Sequence, residues 1–251
     1  MKFILKSILL FLILIFIGLL VSKKNIESFD NEKPKQLTEE ESKTLKKGQQ
    51  MMTNMLAEFD NICRTNGLKY WCVGGTLIGT VRHKGWIPYD ADIDVGMLES
   101  DYKKLQKIIQ KKLSQDFWFQ DKSTDKYYKE DIGKIRYLYA QYEDSKNEKW
   151  HNGLQLDIFI FKNETDFLIP ICCEDSDIKK VSRNMIFPLK ELVFENIKVN
   201  VPNKYEQYCI DNWGECPPPK LPVDKQYPHE GRISFTIPTW MKKKYPQLYS
   251  S

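Results

Sequence analysis

The chain has 251 residues, of which 41% are hydrophobic and 29% charged, and a formal net charge of +4. That length and balance suit one soluble domain with a sizeable core. Lys and Arg are interspersed with Asp and Glu, so the charge demands no nucleic-acid partner, and the small positive excess suits an anionic small substrate.

The chain opens with Phe3 to Val21, an almost purely apolar run interrupted by Lys6 and Ser7. It is close to the roughly 20 residues that cross a bilayer as a helix. A cleaved signal peptide is the alternative, but Gly18, Leu20 and Ser22 are poorly placed for cleavage. The reading favoured is a retained, single-pass membrane anchor over 1–22. Lys2 and Lys6 on one side balance Lys23 and Lys24 on the other, which leaves orientation and compartment open. Residues 23–48 read as a charged stalk and the start of a first helix, 49–217 as the catalytic domain, and 218–251 as an extended tail.

Thr38 and Glu41 carry a capping-box signature. The helix expected after them presents Met51, Met55, Leu56, Phe59, Ile62 and Cys63 at helical spacing. Gly67 ends it, and Tyr70 to Val73 reads as a buried strand. Gly74 to Arg82 reads as a tight turn entering a short helix. Asp92 to Met97 alternates like a strand, and Glu99 to Leu113 like an amphipathic helix. Phe117 to Gln120, Lys134 to Tyr142 and Leu154 to Phe161 are further strands. Val193 to Val201 suggests a hairpin around Asn196, and Tyr205 to Trp213 a short helix. The Pro217-Pro218-Pro219 run breaks regular structure. This order predicts an α+β domain with a mixed β-sheet flanked by helices. The six cysteines contain no CxxC, and their spacing fits no common zinc module.

Asp92 and Asp94 carry the clearest chemical signal. At i and i+2 of a strand both carboxylates emerge on one face, while Ile93 and Val95 enter the core on the other. Such like charges repel unless one is protonated or a cation lies between them, and a divalent ion answers that need. The bland alternative is a solvated acidic strand edge. Upstream, Gly74-Gly75 follows a strand and opens a helix, where glycines allow close backbone approach to a phosphate and free amides await an anion. Thr76 adds a hydroxyl. The segment is neither a Walker loop nor a GxGxxG fingerprint. Asp157 lies in the apolar run Leu156 to Ile160, where a lone acid is costly unless paired or metal-bound. Lys134 and Arg136 alternate on a strand as phosphate contacts or as solvent-exposed charges.

A Gly-Gly turn, a DxD pair and a later strand Asp together resemble the nucleotidyltransferase superfamily. More closely, VGGTLIGTVRHKGWIPYDADIDVGM (Val73 to Met97), GLQLDIFIF (Gly153 to Phe161) and FPLKELVFENIKVNVPNKYEQYCIDNWG (Phe187 to Gly214) resemble the LicD family, which includes fukutin and fukutin-related protein. The resemblance implies a nucleotidyltransferase-like fold. It also implies transfer of a phosphorylated alcohol, phosphocholine or ribitol phosphate, from a CDP-linked donor to a glycan or glycolipid. By position, Asp92, Asp94 and Asp157 would be the metal and catalytic carboxylates, holding Mg²⁺ or Mn²⁺. Gly74, Gly75 and Thr76 would sit at the donor phosphates. Arg82, His83 and Lys84 follow on the short helix and would pair with phosphate oxygens, with a plain surface position as the alternative for His83. Two departures stand out: Tyr89 where the family usually has Trp, and Ala91 where many members have Asp. A nucleotidyl transfer releasing pyrophosphate, and an inactive membrane-anchored module binding glycans or a partner, are the competing functions.

Overall fold

Thr38 opens the first helix, α1 (Glu39–Thr65), in the computed structural model, which describes residues 37–143, 150–172 and 178–249. The Thr38 hydroxyl accepts from the Glu41 amide at 3.2 Å, and the Glu41 carboxylate accepts from the Thr38 amide at 2.8 Å. This reciprocal cap is the one the sequence announces. Met52, Met55, Leu56, Phe59, Ile62 and Cys63 form the buried stripe of α1. Gly67, at φ +64°, then turns the chain into β1 (Tyr70–Cys72). The predicted anchor at 1–22 and most of the stalk lie outside the described residues. Among the described residues no helix is long and apolar enough to cross a membrane.

The chain continues through α2 (Gly74–His83), β2 (Ile93–Leu98) and α3 (Glu99–Lys112). Next come β3 (Phe117–Gln120), β4 (Gly133–Tyr137), β5 (Gln141–Tyr142) and β6 (Gln155–Glu164). The central sheet runs in the order β1-β2-β6-β4-β3. Among these strands only β2 and β6 pair in parallel; the other pairs are antiparallel, so the sheet is mixed. Ile93, Val95, Met97, Leu156 and Ile158 are fully buried in it. Helices α1, α2 and α3 pack on this sheet, the mixed α/β arrangement that the element order predicts.

Beyond β6, strands β7 (Phe167–Pro170) and β8 (Val181–Ser182) extend the sheet, and α4 (Arg183–Ile186) follows. The expected hairpin is β9 (Lys190–Phe194) with β10 (Ile197–Val201), closed at Glu195, whose φ is +54°. Helix α5 (Tyr205–Trp213) ends on Gly214 in the left-handed region. Pro222–Gln226 fall into a separate unit with one 3-10 turn at Val223–Lys225.

Two expectations change. The strand drawn over 134–142 is two strands, because the chain turns at Leu138 and Tyr139 between Tyr137 and Gln141. The tail is not simply extended: it holds β11 (Ile233–Ser234), α6 (Thr239–Lys244) and α7 (Pro246–Tyr249). Met241 and Tyr245 pack with Trp118 and Leu138 in a second small core. Tyr249 stacks on the buried His151 at 6.0 Å between ring centroids. Met241, Tyr245 and Tyr249 recur every four residues, a helical apolar repeat too short to outweigh the prolines around it.

Candidate active site

Three strands place the predicted carboxylates side by side. The parallel register of β2 and β6 pairs Asp94 with Asp157, and the antiparallel register of β4 and β6 pairs Lys134 with Asp157. Asp94, Asp157 and Lys134 therefore form one row across the middle of the sheet. Asp92 sits just before β2 on the same side, and ligand oxygens of Asp92, Asp94 and Asp157 lie within 4.8 Å of one another. Ile93 and Val95 point into the core, as alternation requires. Ala91 is buried too.

The start of α2 closes against this row. An added Cβ on Gly74 would stand 2.7 Å from Asp94 Oδ2, and one on Gly75 would stand 2.5 Å from Asp90 Oδ2. Gly74 also has φ +51°. The glycine pair therefore makes room for carboxylates before it makes room for any ligand. Thr76, nearly fully buried, accepts the Asp94 amide on its hydroxyl at 2.8 Å. The first amides of α2 have no side-chain cap and remain a positive helix end beside the acids.

Asp90 is a functional candidate that sequence reasoning misses. Gln49 of α1 donates to its carbonyl at 2.9 Å, and its carboxylate lies with those of Asp92 and Glu230 inside the same 4.8 Å limit. A signal for it exists, since Asp90, Asp92 and Asp94 recur at i, i+2 and i+4. Glu230, in the tail, has no local signal at all.

Burial governs the charges here, and crowding adds to it. Burial raises the carboxyl pKa of Asp92 and Asp94 well above the ordinary range, and the neighbouring carboxylates push in the same direction. Burial likewise raises Asp90 and Glu230. Burial raises Asp157 as well, opposed by Lys134. The Lys134 ammonium donates to Asp157 Oδ2 at 2.7 Å and pairs with Glu130 at 3.2 Å.

The predicted basic residues divide. Lys134 belongs to the acidic row. Arg136 is buried on the same strand and donates to Gln120, Gln155 and the Gly153 carbonyl at 2.7–2.9 Å. Arg82 turns to the polyproline stretch and donates to the carbonyls of Pro218 and Pro219 at 2.9 and 2.6 Å. His83 accepts from Arg82 Nε at 2.9 Å.

The donor set suits a hard divalent cation. Asp157 Oδ1 and Glu230 Oε2 are buried oxygens with no hydrogen-bond donor among the described residues, and a buried acceptor left alone is costly. All the clustered ligands are carboxylates, the chemistry of an oxygen-preferring divalent cation rather than of a thiolate metal. No metal-competent group among the described residues contains a cysteine.

Residues 67–204 match the family model for the LicD/FKTN/FKRP nucleotidyltransferase domain. The chain is 34% identical over 237 residues to the lipopolysaccharide cholinephosphotransferase LicD of Haemophilus influenzae, covering 82% of this chain and 79% of that protein. It is 30% identical over 154 residues to the mouse ribitol-5-phosphate transferase FKTN, covering 59% of this chain and 29% of that protein. It is 24% identical over 172 residues to the human ribitol 5-phosphate transferase FKRP, covering 68% of this chain and 32% of that protein. The chain thus spans most of the bacterial relative but only about a third of the mammalian ones. The residues that build the acidic row, Asp92, Asp94, Lys134 and Asp157, all fall inside the matched stretch, and the chain belongs to the LicD/FKTN/FKRP family, whose named members here are phosphotransferases.

Proposed function

We propose that this protein transfers a phosphorylated alcohol, of the phosphocholine or ribitol-phosphate type, from a CDP-linked donor to a hydroxyl of a glycan or glycolipid at a membrane surface. The observation that carries the reading is the row Asp94–Asp157–Lys134 with Asp157 Oδ1 left without a donor. Asp92 and Asp94 would hold Mg²⁺ or Mn²⁺, which when bound offsets charge on the donor diphosphate, and Asp157, the carboxylate outside that pair, would serve as the base.

The chain's own groups have separable tasks. Lys134 holds Asp157 through Oδ2 at 2.7 Å, so Oδ1 is the oxygen free to meet an acceptor hydroxyl. The hydroxyl oxygen attacks the β-phosphorus of the donor, its proton passes to Asp157, and the bond from that phosphorus to the CMP oxygen breaks. Burial raises the carboxyl pKa of Asp157, which brings a carboxylate closer to the value a general base needs near neutrality. The amides opening α2 at Gly74 to Thr76 face the diphosphate as a positive helix end.

The test is a thermal-shift panel on the full chain with CDP-choline, CDP-ribitol and CDP-glycerol, each with and without Mn²⁺. A melting-point rise that needs both Mn²⁺ and one CDP-alcohol, and is lost in Asp94→Asn, is the expected result. A response to nucleoside triphosphates instead, with pyrophosphate released, would move the assignment to nucleotidyl transfer. A folded protein that answers none of these ligands would be the inactive binding module.

A further inference from the structure

Glu230 lies outside the stretch that the family model matches, yet it is carried into the acidic cluster by specific contacts. Strand β11 pairs with β5, setting Ile233 opposite Tyr142 and Ser234 opposite Gln141. The Glu143 amide donates to the Arg232 carbonyl at 2.8 Å, which continues the ladder one step toward Glu230. On the other side of this ladder the Tyr142 hydroxyl donates to the Ala91 carbonyl at 2.6 Å, between the two acids Asp90 and Asp92. The tail strand and the acidic loop are thus pinned to the same tyrosine.

The result is a second group of carboxylates. Oxygens of Asp90, Asp92 and Glu230 lie within 4.8 Å of one another, and Asp92 belongs to both this group and the one with Asp94 and Asp157. Repulsion alone does not favour such a gathering. Glu230 Oε2 is itself buried with no hydrogen-bond donor among the described residues. A carboxylate with a buried, unpartnered oxygen, gathered with two further carboxylates, is the arrangement that a hard cation satisfies.

We propose that Asp90, Asp92 and Glu230 form a second site for Mg²⁺ or Mn²⁺, joined to the first through Asp92, with its last ligand supplied by the C-terminal tail. The proposal rests on the preceding reading only in that the two sites share Asp92. Asp92 would be common to both ions, and a pair so held would supply charge for both the attacking and the departing oxygens of a phosphoryl transfer.

Manganese titration of the metal-free full chain, followed by electron paramagnetic resonance of free and bound Mn²⁺, tests this without any substrate. The wild type should bind two Mn²⁺ per chain, with broadening of the bound signal from their proximity. Glu230→Gln should bind one, with the second weakened at least tenfold. Asp90→Asn attacks the same site from the other side and should behave alike. Circular dichroism melting checks that each variant is folded. A wild type that binds one Mn²⁺, with affinity unchanged in both variants, would overturn the second site and leave the first standing. Loss of all Mn²⁺ binding in both folded variants would also overturn it, by showing one site rather than two. A wild type that binds no Mn²⁺ would sink this proposal together with the metal-dependent mechanism above.

Discussion

Gly74 shows how much one hydrogen in place of a side chain decides. Its φ of +51° and the 2.7 Å that would separate an added Cβ from Asp94 Oδ2 both exclude other residues. Gly74→Ala should lower stability by about 1–2 kcal/mol from the left-handed backbone alone, and displace Asp94 as well. Urea unfolding and Mn²⁺ titration of the same preparation check the two parts separately. Lys134 is the complementary case, a buried cation among acids. Lys134→Met leaves Asp157 beside Asp94 without its counter-charge and should cost about 3–5 kcal/mol in the metal-free protein. Added Mg²⁺ should restore part of that loss, read as a shift in the urea midpoint. A midpoint unmoved by the substitution would mean that the pair contributes nothing net.

At the scale of elements, the site is set by register. The Gly-Gly turn, the DxD pair and Asp157 are legible in the sequence because strand alternation and an acid in an apolar run are local signals. That Lys134 faces Asp157 while Arg136 joins a buried network with Gln120 and Gln155 depends on which strands pair, and no periodicity states that. Glu230 is illegible for the same reason, since a two-residue strand carries it in. The small core around α7 makes a prediction of its own. His151 is fully buried, accepts the Gly153 amide on Nδ1 at 3.1 Å, and meets the Tyr249 hydroxyl through Nε2 at 2.7 Å. Burial, with Arg136 nearby, holds its pKa well below the usual value of an imidazole. The unfolded chain therefore takes up a proton first as pH falls below about 6.5. Stability contributed by neutral His151 is present above that pH and is lost as pH drops. Urea midpoints at pH 7 and pH 5.5 should fall more for the wild type than for His151→Phe, by a difference of about 1 kcal/mol in unfolding free energy.

For the whole molecule, the electrostatic response to pH is governed by the buried negative charge gathered on one side of the sheet. The carboxyl groups of Asp90, Asp92, Asp94, Asp157 and Glu230 all have raised pKa values, burial being the first cause in each. Without metal, the folded protein thus holds more protons than the unfolded chain at any pH between the ordinary carboxyl range near 4 and those raised values. Its stability should fall as pH rises through that window. Divalent cations, which need the ionised carboxylates, should oppose the trend and displace protons on binding. Melting temperatures in EDTA and in MgCl₂ at pH 6 and pH 8 test this: the increment from Mg²⁺ should be larger at pH 8. An equal increment at both would mean that no proton is displaced.

The carboxylates of this cluster come from the loop before β2 and from β2 itself, from β6 in the middle of the chain, and from a residue just ahead of β11 in the tail. A ribosome delivers these pieces in that order, so the central sheet can assemble around Asp94 and Asp157 while Glu230 has yet to be made. On the two-site reading, the second cation site is completed only after the strands of the central sheet have been made. A message cut short before the tail codons would yield a domain with its sheet intact and its second cation site missing one wall.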